Sequence, residues 1–140
     1  MTPRSLRHAV AATAAVLALL LAGCSATYVR QSGMGTAGLG AAEKLLLEGL
    51  KQYEDGDLRS AEASLQKALA GGLAHTDDRV TAHKYLAFID CATERERECR
   101  EQFAAALALD PRLQLTRAEA GHPVWGPAFA SVKASIAPGR

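Results

Sequence analysis

From position 46 onward, apolar residues recur at intervals of three and four, and that period restricts the chain more than any other feature. Leu46, Leu47, Leu50 and Tyr53 follow it, and Leu58, Ala61, Leu65, Ala68 and Leu69 resume it after the break at Asp55-Gly56-Asp57. At 3.6 residues per turn each series lies along one side of a helix, so the segment reads as two antiparallel helices joined by a tight turn. A second pair begins near Thr76, with Ala82, Tyr85, Leu86 and Ile89 on one stripe and Cys99, Phe103, Ala106 and Leu107 on the next. Thr93 with Glu96 three residues later reads as a capping box opening the fourth helix. Pro111 stops that helix, because a proline pushes the residue before it out of the helical region. Laid over each other, the pairs repeat: Ala61, Leu65 and Ala68 return as Cys99, Phe103 and Ala106, 38 positions on.

The pattern resembles tetratricopeptide repeats, whose signature places a Leu-Gly, a Tyr, an Ala, a large apolar residue, a second Ala and a Pro at helical spacing. The second repeat offers Leu86-Ala87, Phe103, Ala106 and Asp110-Pro111; the first offers Gly49, Tyr53, Gly56-Asp57, Ala61, Leu65 and Ala68, without a closing proline. The offset is four longer than the usual 34-residue unit, and the extra residues fit around Gly71-Gly72 and Ala74-His75. Small residues at Gly49, Ala61, Ala68 and Ala87 let the helices approach closely. A generic four-helix bundle is the alternative. Two repeats are fewer than the roughly three a solenoid needs to bury its faces, so something must cover the open end. Pro123, Trp125, Phe129, Val132 and Ile136 follow helical spacing, with Pro123 or Pro127 suited to a first turn, and this C-terminal helix is expected to pack on the last repeat. The expected fold is therefore all-α, with two tetratricopeptide-like helix pairs and a C-terminal capping helix spanning residues 41–140.

Ahead of the repeats, Arg4 and Arg7 precede an apolar run from Ala9 to Ala22, the layout of a secretory signal and too short to span a bilayer comfortably. Leu21-Ala22-Gly23-Cys24 resembles the lipobox of bacterial lipoproteins, which implies cleavage of residues 1–23 and acylation of Cys24. Each buried methylene contributes about 0.8 kcal/mol, so a multi-chain anchor holds firmly where one chain would not. Ser25 rather than Asp follows the Cys, which by the same resemblance implies an outer-membrane lipid anchor; the domain is expected to face the periplasm. The rest of residues 24–40 holds Gly33, Gly35, Gly38 and Gly40 among Ser, Thr and Gln with no period, and reads as a tether reaching on the order of 20 Å. Cleavage removes two of the 16 Lys and Arg and none of the 15 Asp and Glu, so the net charge passes from +1 to −1. No basic patch remains to suit nucleic acid.

With Cys24 acylated, Cys91 and Cys99 are an even pair in an oxidising compartment and are expected to be bridged, two free buried thiols being the alternative. In the repeat register they sit on either side of the turn, and they lack the Cys-x-x-Cys spacing of a redox pair. His75, Asp77, Asp78 and His83 match no usual metal-ligand spacing. His83 and Cys91 stand about 12 Å apart along one helix, too far for a nucleophile and its base. No glycine-rich phosphate loop or Gly-x-Ser-x-Gly elbow occurs, so neither a cofactor nor an enzyme is expected. The run Glu94 to Glu101 alternates in sign and reads as a solvated helix face.

A lipid-anchored repeat domain without catalytic groups is most simply a binding scaffold. The stretch Ala82-His83-Lys84-Tyr85-Leu86-Ala87-Phe88-Ile89, the pair Cys91 and Cys99, then Phe103, Leu107, Asp110-Pro111 and Gly121 to Pro127 resemble the TssQ-like lipoproteins associated with type VI secretion systems. The resemblance implies a protein partner belonging to an envelope-spanning secretion apparatus. A lipoprotein of outer-membrane assembly or cell-wall maintenance would use the same fold, and an envelope enzyme with a cryptic site is the reading from another class. In the repeat family the first helix of each pair lines the concave face, which places Leu46, Leu50 and Tyr53 with Lys84 and Phe88 on an apolar strip suited to a partner helix. The strip is alternatively part of the domain's own core, or covered by the C-terminal helix.

Overall fold

The computed structural model describes residues 38–136; the expected signal peptide, Cys24 and most of the expected tether lie outside the described residues. Six helices follow one another without a strand among the described residues: α1 (Ala41–Glu54), α2 (Leu58–Ala70), α3 (Thr76–Ala92), α4 (Glu96–Leu109), a single turn α5 (Arg117–Ala120) and α6 (Trp125–Ile136). None is long and apolar enough to cross a membrane. Helix α1 packs on α2, α3 on α4 and on α2, and α6 on α4, so the two pairs stack in chain order and the C-terminal helix closes the far end.

The repeat is reproduced in three dimensions. Ala61, Leu65 and Ala68 of α2 and their counterparts Cys99, Phe103 and Ala106 of α4 are all completely buried. The turns match bond for bond. In the first, the amides of Asp55, Gly56 and Asp57 donate to the carbonyls of Lys51, Tyr53 and Gln52; in the second, those of Thr93, Glu94 and Arg95 donate to Ile89, Cys91 and Asp90. Each bond lies 38 positions from its partner. Gly56 adopts φ +83° and Glu94, at the equivalent position, φ +62°. A left-handed conformation is free for glycine and costs a side chain about 1–2 kcal/mol, so the second turn is held by something other than its own preference.

Helix boundaries follow local chemistry. The Asp57 side chain accepts from the Ser60 amide and caps α2, and Asp77 and Asp78 in the first turn of α3 favour its dipole. Helix α4 ends at Leu109, ahead of Pro111, with Asp110 already extended at φ −134° and ψ 96°. Its start corrects the capping-box reading. Arg95, not Thr93, is the N-cap residue, and the Thr93 hydroxyl donates backwards to the Ile89 and Asp90 carbonyls, finishing α3. The capping box that does form is Thr116 with Glu119, on α5.

Two apolar cores result. Leu46, Leu65, Leu73, Leu86 and Ile89 build one between α1, α2 and α3, and Phe88, Cys99, Phe103, Leu107, Phe129 and Val132 build the other between α3, α4 and α6. Tyr53 and Tyr85 touch both and join them. In α6, Phe129 and Val132 are buried as the stripe required, whereas Ile136 is 48% exposed. Gly49 is buried against Leu65, whose Cγ would lie only 2.8 Å from an added Cβ, which is the close helix approach its size allows.

Candidate functional site

The expected partner strip lies on α1 and α3, and the structure divides it. Leu46 (4% exposed) and Phe88 (2% exposed) are core residues, which corrects their assignment to an open binding face. The reason is that the strip meets two neighbours: α2 and α3 close on Leu46, and the C-terminal segment folds over Phe88. Leu50 and Tyr53 are half-buried, and Leu47, one step round α1, is 45% exposed. Lys84 faces the C-terminal segment.

An aromatic ladder runs through this region. Tyr53 meets Tyr85 edge-on at 5.0 Å between ring centroids, Tyr85 meets Phe88 at 5.5 Å, and Phe88 is stacked against Trp125 at 4.8 Å. Edge-to-face and offset-stacked pairs of this kind add about 0.5–1.5 kcal/mol each beyond their buried area. His122 also stacks on Trp125. The indole Nε1 of Trp125 is buried and has no acceptor, a loss of about 1–3 kcal/mol relative to a satisfied N–H.

Beside the ladder, Lys84 Nζ donates to Glu119 Oε1 at 2.7 Å, with the two side chains only 17% and 18% exposed. Water screens such a pair far less than it screens one on the surface. The Lys84 ammonium also lies 5.1 Å from the Tyr85 ring centroid and 5.6 Å from that of Phe88. Glu119 is held on both oxygens, the second accepting from the Thr116 amide at 2.8 Å. Burial pushes its carboxyl up, but the bonds from Lys84 and Thr116 outweigh that and leave it below the ordinary carboxylate value. Helix α5 packs on α6, where Gly126 accepts it at close range: a Cβ there would come within 2.3 Å of the Ala120 carbonyl oxygen.

The bridge between Cys91 and Cys99 is formed, with a Cα separation of 5.1 Å across the second turn. Cys91 lies in the wall of a cleft of about 600 Å³ between α4 and α6, with Arg100 donating to Ser131 at its rim. The metal candidates are dispersed: His83 pairs through Nδ1 with Gln102 Oε1 at 2.7 Å, and no group of three or more potential ligands gathers among the described residues.

One polar cluster escaped the reading of Glu94 to Glu101 as a solvated face. Arg95 turns inward, bonding both oxygens of Glu62 on α2, at 2.7 and 2.8 Å, and Asp90 Oδ1 at 2.7 Å. Asp90 is only 4% exposed. Burial pushes its carboxyl up to about 6, against the downward pull of Arg95. The available signal was an aspartate ending the apolar run Leu86 to Ile89, where a charge has to find a partner. Comparison with protein-family models, with curated proteins and with solved structures finds no match.

Proposed function

We propose that the chain is a lipoprotein scaffold, anchored in the outer membrane through acylated Cys24, that binds a protein partner through its helical-repeat surface as an accessory component of a type VI secretion system. The observation that supports this reading best is the repeat itself: two helix pairs related by 38 positions, with the same buried triplet and the same turn hydrogen bonds, downstream of the lipobox-like Leu21 to Cys24. Stacked pairs of this kind resemble tetratricopeptide repeats, which present a concave face for peptides and helices. The secretion-system assignment is supported by the resemblance across Thr81 to Lys133 to the TssQ-like lipoproteins.

The docking face in this reading is the exposed Leu47 with its half-buried neighbours Leu50 and Tyr53 on α1, since Leu46 and Phe88 are interior. A photo-reactive amino acid at Leu47, introduced in living cells, tests it. The expected product is a crosslink to an envelope subunit of the secretion apparatus, abolished by Leu50→Glu. Crosslinks to the outer-membrane assembly machinery, or to no protein at all, would overturn the assignment.

A further inference from the structure

The segment that covers Lys84 and Phe88 is held unevenly: its α6 part packs on α3 and α4, and its α5 part is held on the helix pairs by one side chain. Helix α5 is one turn long and packs on α6 alone, so its hold on the helix pairs comes from the side chain of Glu119. That carboxylate is seated on Lys84, and Trp125, six residues on, stacks on Phe88, so one short stretch lays an acid and an aromatic ring side by side against α3. The fit is incomplete: the indole N–H is buried without an acceptor, which a ligand offering a carbonyl there would satisfy. Beyond the covered part, Leu50 and Tyr53 are half-buried and Leu47 is exposed.

We infer that the face of α3 carrying Lys84 and Phe88 is a recognition site for a protein segment carrying a carboxylate and an aromatic ring at this spacing, and that Glu119 and Trp125 occupy it in cis as a latch the partner displaces. Lys84 supplies the cationic contact and Phe88 the stacking face. The inference deepens the scaffold reading by naming the chemistry of the partner, and its test needs no secretion apparatus.

Trp125 is the chain's single tryptophan, so its fluorescence reports the latch directly. Glu119→Lys sets two ammonium groups against each other. Emission should shift to the red and acrylamide quenching should rise severalfold, with far-ultraviolet circular dichroism unchanged. Lys84→Glu added to Glu119→Lys restores the pair without restoring the capping box, and should return both readings to wild type. A labelled peptide of residues 116–129 should bind the Glu119→Lys protein at least tenfold more tightly than the wild type, and fail to bind Lys84→Glu. Unchanged quenching and peptide affinity in Glu119→Lys would make the segment a fixed cap and overturn the inference. Unfolding of Glu119→Lys would do the same, as would dimers of that variant that the peptide does not compete away, which would make a second copy the occupant.

Discussion

Glu94 and Asp90 both carry a cost in the fold, and both lie at the second turn. At φ +62° Glu94 holds a conformation that its counterpart Gly56 adopts freely. Glu94→Gly should raise stability by about 0.5–1 kcal/mol, the relief of a left-handed side chain less the added freedom of the unfolded chain, measured by urea denaturation. Asp90 titrates near 6 in the fold, against 3.8 as its ordinary value, so the folded state binds the proton more tightly than the unfolded one. Its burden is absent below pH 4 and complete above pH 6. Wild-type stability relative to Asp90→Asn should therefore fall as pH rises through that window, and a difference between the two proteins that stays flat in melts from pH 4 to pH 7 would contradict the assignment. The window differs from that of Glu119, whose lowered value adds stability that is lost only as pH falls below the ordinary carboxylate range. Neither effect was legible beforehand. The sequence places Asp90 at the end of an apolar run, but whether a buried acid finds an arginine depends on a turn that brings Arg95 back over α2.

At the scale of the elements, the two turns share a backbone and differ in what fastens them. The first has glycine at the left-handed position and Asp57 capping α2. The second has neither, and the Cys91 to Cys99 bridge and the Arg95 pairs to Glu62 and Asp90 stand in their place. Reduction should cost about 2.5 kcal/mol, the chain-entropy value for so short a loop. Thermal melts with and without reductant measure it, and melts that coincide would show that the bridge adds nothing. Helix periods, the Asp55-Gly56-Asp57 turn, the stop at Pro111 and the disulfide were all legible, because each rests on contacts within a few residues or on a pairing of two cysteines. Thr93 was misread for a reason that is also local. A threonine three residues before a glutamate can cap forward or back, and here the repeated turn geometry assigns the N-cap position to Arg95, leaving the hydroxyl to close α3.

Across the whole molecule, the decisive event is the return of the C-terminal segment over Lys84 and Phe88 of α3. Amphipathic spacing says that Leu46, Leu50, Tyr53, Lys84 and Phe88 share a face, and it says nothing about what covers that face, because cover depends on other helices far along the chain. The outcome is mixed: Leu46 and Phe88 are interior, Lys84 is paired with Glu119, and Leu50 and Tyr53 are half-buried beside the exposed Leu47. The functional account joins this domain to a lipid anchor through a short tether, which sets where its binding face can work. Intact mass spectrometry of the protein extracted from isolated membranes tests that join most directly. The account predicts a chain beginning at Cys24 and carrying diacylglycerol and an amide-linked acyl chain, shifting to an unlipidated precursor in Cys24→Ser. A wild-type chain that is recovered without acyl groups, or that begins at any other residue, would contradict it.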